Sequence, residues 1–436
     1  MPIGGQKQGP DVRELETATV EGIELEARWN RQFGSRVITD YDTSPLFEIA
    51  ALADAASIEW CYGCGKCVPV CPVDVVGEYG PLKVHRKLQR GVNLLEDHDL
   101  WLCTTCGNCL RVCPKQVDMM KIMPAAREAA LTQGKPVPVE LQGVFESTFK
   151  YGNALGENPR KRAAWTKGAG VPVRQLPKEP GPVEYLLYVE DYWSYHPRGH
   201  DAAQACARIF HALGIDYGIL AHEEKTLGDS QRLAGERGLF EMLVEQVVET
   251  LSRYEFTTIV TPDPHGFNAL KEAYPKLGHN YDVVHYTQML APLVDKLTWT
   301  KELDYKVTFH DPCYLGRHHG EYDAPRKLLQ AIPGIDLVEM GRCKENGYCC
   351  GGGGGGMWLD GHTQNHTSER LSERRVREAV DYGANLLAVC CPYEVSRFED
   401  GIKSTGLDGK LIVRDIAELM DEAMGGVEAV ALDAAA

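Results

Sequence analysis

From residue 183 to residue 425 the chain alternates short apolar runs with segments of helical periodicity. EYLLYVE (184–190), FTTIVT (256–261), YDVVHY (281–286), YKVTFH (305–310), NLLAVC (385–390) and LIVRDI (411–416) read as strands, being short and rich in β-branched or aromatic residues. Helices are predicted over 202–213 and 267–274, and from the end of YDVVHY to Val294. This alternation predicts an α/β architecture with largely parallel sheets. Upstream the period is helical. Residues 45–58 (PLFEIAALADAASI) read as one short amphipathic helix, Leu82 to Leu95 as a second, and 115–133 as a third with Ile122, Met123, Ala126 and Ala130 on one side. Between these regions Pro136, Pro138, Pro159, Pro172, Pro177, Pro180 and Pro182 interrupt the candidate elements. They predict an extended connector lying over a neighbouring surface, helical in parts. The expected layout is an N-terminal extension (1–50), a helical domain (51–133), the connector (134–182) and two α/β modules (183–300 and 301–436).

The modules look like copies of one another. YLLYVEDYW (185–193) aligns with YKVTFHDPCY (305–314), TPDPHGF (261–267) with VCCPYEV (389–395), and YDVVHYTQML (281–290) with KLIVRDIAELM (410–420). The landmarks occur in the same order with similar gaps, which points to duplication. Only the second copy carries cysteines at them. Cys313 follows a strand end, Cys349 and Cys350 open YCCGGGGGG, and Cys391 precedes Pro392. In the first copy Thr226 and Leu227 stand before Gly228, and Asp263 before Pro264. One metal site is therefore expected here, in the second copy, with the first as a structural half.

The helical domain holds a different cysteine pattern. C-x2-C-x2-C-x3-C-P occurs twice, as Cys61, Cys64, Cys67, Cys71 with Pro72, and as Cys103, Cys106, Cys109, Cys113 with Pro114. This is the bacterial ferredoxin signature for [4Fe-4S] cubanes, in which the fourth cysteine of each run serves the other cluster. Cys61, Cys64, Cys67 and Cys113 are thus assigned to one cubane, and Cys103, Cys106, Cys109 and Cys71 to the other. The adjacent pair Cys349–Cys350 suggests an unusual iron–sulfur centre, or one ligand beside one reactive thiol. Gly351 to Gly356 remove every Cβ there, letting backbone approach sulfide and donate amides. A nucleotide-binding reading of the glycine run is disfavoured, since no strand directly precedes it. Strand alternation sends Cys390 and Cys391 to opposite sides, so Cys391 is assigned to the site and Cys390 to the core. Cys206 reads as a buried hydrophobe. Cys343 reads as a loop thiol or, alternatively, a ligand. Glu394 is read as an oxygen ligand, a proton relay or a solvated side chain. His310, Asp311 and Tyr393 are further proton-source candidates, His310 equally a packed strand-end residue.

Composition narrows the partners. The 436 residues carry 62 acidic and 46 basic side chains, a formal net charge of -16, which argues against a phosphate backbone as ligand. Arg160, Lys161 and Arg162 read as a solvated linker face, with partner docking the second reading. Fifteen cysteines in a chain of this length, behind an N-terminus without an apolar leader stretch, fit metal-bound thiolates in a reducing compartment better than a disulfide scaffold. No run of apolar residues is long enough for a membrane span.

With HDPCYLGR, CCG and CCP on one chain beside the two cubane motifs, the sequence resembles the heterodisulfide reductase family. Residues 50–130 resemble its small, ferredoxin-like C-type component, and 183–425 its B-type component with two cysteine-rich CCG modules. The fusion is similar to the D-type component of the membrane-linked reductase and to the K subunit of the sulfite-reduction-associated membrane complex. The resemblance implies a mostly helical two-[4Fe-4S] ferredoxin-like domain followed by a duplicated α/β CCG domain, an α+β multidomain chain. It implies a third, noncubane [4Fe-4S] centre on Cys313, Cys349, Cys350 and Cys391, with Glu394 in place of a fifth cysteine. Asp263 and Gly266 replace the C-x2-C pair of the first module. The expected function is an electron-transfer subunit of a larger redox complex, located in the cytoplasm or peripheral to the inner membrane. Its partners would be a flavoprotein, a ferredoxin-like protein or a membrane quinone-linked subunit. The alternative is catalytic cleavage of a small-molecule or protein disulfide or trisulfide, with Cys349, Cys350, Glu394 and His310 at the reacting centre.

Overall fold

The computed structural model describes residues 17–20, 23–26, 44–52, 55–73, 79–90 and 93–426. Most of the expected N-terminal extension lies outside the described residues; within it, β1 (Thr17–Val20) and β2 (Ile23–Glu26) pair antiparallel.

The first domain is built from short helices around the two cysteine runs. The stretch expected as one helix over 45–58 forms two pieces, an α-helix over Ser44–Ala51 and a 3-10 turn over Ala56–Trp60. The second expected helix is also shorter, Pro81–Gln89, and is followed by a 3-10 turn over Leu94–Glu96. Asn93 starts that turn by accepting from the Leu95 amide, a side-chain cap that competes with helix continuation. The third helix, Met119–Thr132, begins at Asp118, whose carboxylate accepts from the Met120 amide. Its Ile122, Met123, Ala126 and Ala130 are buried on one side.

Residues 134–182 are helical in parts and packed more deeply than an extended connector. A helix spans Val139–Tyr151, and two 3-10 turns follow at Pro159–Lys161 and Ala164–Gly168. Pro136 and Pro138 precede the helix, where a missing N–H costs nothing, and residues 139–158 contain no proline. Leu141, Val144 and Trp165 are buried, so the segment packs as part of the core. The basic triplet is also divided. Arg160 and Lys161 are exposed, but Arg162 is buried and paired with Asp191 at 2.9 Å and Glu224 at 3.0 Å.

Two four-stranded parallel sheets follow. β3 (Val183–Leu187), β4 (Tyr217–Gly218), β5 (Phe256–Thr261) and β6 (Val283–His285) run in the order β4-β3-β5-β6. β7 (Tyr305–Phe309), β8 (Ile335–Leu337), β9 (Leu386–Val389) and β10 (Ile412–Asp415) run in the order β8-β7-β9-β10. The strand order is the same in both, second-first-third-fourth. The aligned sequence landmarks fall on β3 and β7, β5 and β9, and β6 and β10. One hydrophobic core joins the modules, running from Leu186, Ile259 and Phe210 to Val307, Leu386 and Met420. A second core fuses the helical domain to both, since Ile122, Met123 and Ala126 share it with Leu233, Ala234, Cys313, Tyr314 and Cys349. Among the described residues no helix is long and apolar enough to cross a membrane.

Candidate metal centres

All fifteen cysteines are free of disulfides. Most converge in three places. Cys61, Cys64, Cys67 and Cys113 border one cavity of about 430 Å³. Cys71, Cys103, Cys106 and Cys109 border a second of about 350 Å³, and Cys109 touches the first as well. These are the two sets formed by exchanging the fourth cysteine of each run. Backbone amides already point at several of the sulfurs. Thr105 N donates to Cys103 Sγ and Val117 N to Cys113 Sγ, both at 3.4 Å. His85 lines the first cavity, almost wholly buried, and neither ring nitrogen has a partner. Burial holds its imidazole down at about 4. Four convergent thiols and an orphaned buried donor fit an anionic sulfur-rich group there.

The third cavity, about 470 Å³, is bordered by Cys313, Cys349, Cys350, Cys391, Tyr393 and Glu394. Cys349 is its electrostatic centre. The neighbouring thiols of Cys106, Cys313 and Cys350 hold its pKa well below the usual thiol range. The loop amides follow suit, Gly351 N donating to Cys349 Sγ at 3.3 Å and Gly352 N to Cys350 Sγ at 3.4 Å. Ligand atoms of His310, Cys350 and Glu394 lie within 4.8 Å of one another. His310 Nε2 stands 3.2 Å from Glu394 Oε1, yet that nitrogen and Glu394 Oε2 are buried without a hydrogen-bond partner. Burial pushes the Glu394 carboxyl well up, with the Cys349 charge adding to it, and burial pushes His310 well down, with Arg375 adding to that. This donor set too is suited to metal, with unsatisfied atoms left over for it.

The other candidates sit elsewhere. Asp311 is committed to structure, accepting from both Arg326 terminal nitrogens at 2.7 and 3.0 Å and from Lys344 N at 2.7 Å. Cys343 opens the turn Lys344–Asn346 and does not border the cavity. Cys206 and Cys390 are both fully buried in the core shared by the sheets. In the first module Leu227 is fully buried where the second has Cys350, and its amide donates to Glu190 Oε1 at 2.8 Å. A Cβ on Gly266 would stand 2.9 Å from Leu227 Cδ1. The space is filled by hydrocarbon and carboxylate and offers no sulfur.

Sequence reasoning missed His265. It comes from the first module yet borders the third cavity, with Nδ1 held 3.0 Å from Asp229 Oδ2 and its ring against Tyr314. Its position in TPDPHGF, a landmark loop, was the available signal. The sequence also left open what joins the cavities. A Cβ on Gly353 would lie 2.3 Å from Thr104 O, and one on Gly354 2.5 Å from Cys103 O, so the glycine run admits the ferredoxin-like loop's backbone directly. Two arginines, fully buried Arg127 and half-buried Arg317, fasten the junction. Arg127 donates to the carbonyls of Leu100, Cys103, Leu233 and Gly354 at 3.0, 2.7, 2.8 and 2.8 Å. Arg317 donates to Cys106 O at 2.7 Å, Gly347 O at 2.6 Å and Cys313 Sγ at 2.8 Å.

Comparison with known proteins identifies the two cysteine-rich regions by family. Residues 57–117 match the 4Fe-4S dicluster domain and residues 307–393 the cysteine-rich domain CCG. The chain is 30% identical to the D chain of the dihydromethanophenazine:CoB–CoM heterodisulfide reductase of Methanosarcina barkeri, over 84% of this chain and 94% of that one. It therefore belongs to the heterodisulfide reductase-like family of iron–sulfur oxidoreductases. It is 35% identical to the probable iron-sulfur-binding oxidoreductase FadF of Bacillus subtilis, over 77% of this chain and 48% of that one. It is also 35% identical to the EtfAB:quinone oxidoreductase of Syntrophomonas wolfei, over 74% and 46% respectively. The chain thus spans about half the length of these two relatives.

Proposed function

We propose that this chain is an electron-transfer subunit of a larger redox complex, holding two [4Fe-4S] cubanes and a CCG-type centre in series. Cys61, Cys64, Cys67 and Cys113 would hold the first cubane and Cys71, Cys103, Cys106 and Cys109 the second. Cys313, Cys349, Cys350 and Cys391 would hold the third centre, with Glu394 beside it. When bound, such clusters supply one-electron storage and transfer at potentials set by charge, hydrogen bonds to sulfur and exposure. The observation that carries the reading is the meeting of the second and third cavities, which share Thr104 in their walls while Arg317 bonds both Cys106 O and Cys313 Sγ.

The residues around the sites have definable tasks. Amides of Thr105, Val117, Gly351 and Gly352 orient the sulfurs and stabilise their negative charge. Arg127 and Arg317 hold the two loops at fixed separation and place positive charge between them. Tyr314, whose hydroxyl lies 2.6 Å from Thr105 Oγ1, seals the junction against water. The module at 183–300 would hold no cluster and act as scaffold. The partner on the far side would be a flavoprotein, a ferredoxin-like protein or a quinone-linked subunit, in keeping with the names of the relatives.

A second reading, cleavage of a disulfide at the third centre, is favoured by the protonatable groups there. Burial keeps a proton on Glu394, and it would be available at Oε2 to a leaving thiolate. The test of both is Cys350→Ala. It should remove or strongly alter the electron paramagnetic resonance signal of the third centre while both cubane signals persist. Reduction of the physiological acceptor should then fail. Full turnover of Cys350→Ala would take the third centre off the electron path and refute both readings.

A further inference from the structure

The three sulfur cavities differ in their access to solvent. Of the fifteen cysteines, Cys64 is the one that is exposed, and it borders the first cavity. The second and third cavities are bordered by half-buried Cys71, Cys103, Cys109 and Cys350 and by buried Cys106, Cys313, Cys349 and Cys391. Cys64 is therefore the most exposed cubane sulfur at which a protein carrier could exchange electrons with the pair. Around it the surface is unusual. Trp60 is 54% exposed and Tyr62 62%. Phe47, also exposed, lies on the helix that packs against Ala56–Trp60. Of the three, Tyr62 borders the cavity beside Cys64, and exposed aromatic side chains this near an exposed sulfur favour an interaction site.

Charge distinguishes the occupant. The chain carries a net charge of -16, yet the side chains bordering this cavity include Lys66 and Lys115 and no carboxylate. Both lysines are exposed. Glu48 and Glu59 are exposed beside Phe47 and Trp60, so the attraction for an acidic protein is confined to the Lys66 and Lys115 edge of the cavity, which orients it there.

We propose that the Trp60–Tyr62–Cys64 face is the docking site of a protein one-electron carrier with an acidic rim. The inference rests on the electron-transfer reading above. In the exchange the carrier is oxidised by one electron and this chain reduced by one, with no bond made or broken and no proton needed. Trp60 and Tyr62 supply the apolar centre of the contact, and Lys66 and Lys115 its charged edge.

The experiment uses the full chain, loaded anaerobically, and an acidic [2Fe-2S] ferredoxin as probe. Binding of the oxidised probe and the second-order rate of reduction by the reduced probe are measured at several ionic strengths. Lys66→Glu with Lys115→Glu should weaken binding and slow reduction about tenfold or more at low salt, and should abolish the fall of rate with salt. Trp60→Ala should weaken binding several-fold and leave the salt dependence in place. Lys403→Glu with Lys410→Glu makes the same charge change on the exposed surface of the C-terminal module and should leave binding within about twofold of wild type. Unchanged binding in the Lys66/Lys115 variant, or an equal loss in the Lys403/Lys410 variant, overturns the proposal. Iron content and reduction by titanium(III) citrate, which needs no docking face, are read on every preparation. Wild-type protein without iron would refute the electron-transfer reading, while the binding measurements would still decide the face.

Discussion

Arg127→Met removes the guanidinium from the junction of three parts of the chain. Arg127 is fully buried and bonded to carbonyls of Leu100 and Cys103 in the first domain, Leu233 in the first module and Gly354 in the second. Met fills a similar length but donates nothing, so four buried carbonyls lose a charged donor. Each such bond contributes about 1.5–3 kcal/mol, and removing one side of a buried polar network costs about 3–5 kcal/mol once desolvation of the cation is credited back. Taking about 3 kcal/mol as the lower end, the junction's opening equilibrium shifts more than a hundredfold. The assay is anaerobic iron release to a chelator. The slow phase belonging to the second cubane and the CCG centre should quicken about a hundredfold, with the first cubane nearly unaffected. Arg127→Lys keeps the charge with fewer, less directional donors and should fall between. Release within about threefold of wild type in Arg127→Met would refute the reasoning, because the network would then not hold the junction.

Cys64→Ala should disable the first cubane and destabilise its local fold, because metal binding and folding are coupled; loss of about four irons with the other signals intact is the expected readout. Gly353→Val should lower thermal stability, by about 1–3 kcal/mol or more, because its Cβ would meet Thr104 O at 2.3 Å; a variant as stable as wild type with normal transfer to the third centre would contradict the close approach. Asp415 is buried, and burial pushes its carboxyl up to about 7. The folded state therefore holds a proton that the unfolded chain has released, so stability falls as pH rises from about 4 towards 7. Asp415→Asn should remove that part of the slope in urea titrations, and an unchanged slope would contradict it.

The elements that sequence made legible were those with strong local causes. Phe256–Thr261 is a strand over the residues its apolar run marks out, because Ile259 and Val260 bury fully in a parallel sheet. The landmark alignment was readable because both modules repeat one strand order. Short strands such as Tyr217–Gly218 escaped, since two residues carry no period. The helix at Val139–Tyr151 was hard to bound because the prolines were counted as interruptions, although Pro138 only precedes it. At the site, the cysteine sets could be read from spacing. The junction could not, since Arg127, Arg317 and His265 act through tertiary contacts between segments far apart in the chain. Arg162 failed for the same reason, its partners Asp191 and Glu224 being remote in sequence.

The central claim is that three iron–sulfur centres, and no more, lie in series on this chain. Iron and acid-labile sulfide are counted on fully loaded anaerobic protein and combined with Mössbauer spectroscopy to separate cluster types. The account predicts about twelve irons per chain, about eight in two cubane environments and about four in a third, distinct one. A count near eight would remove the third centre, and a count near sixteen would show a cluster in the module where Leu227 and Glu190 fill the space.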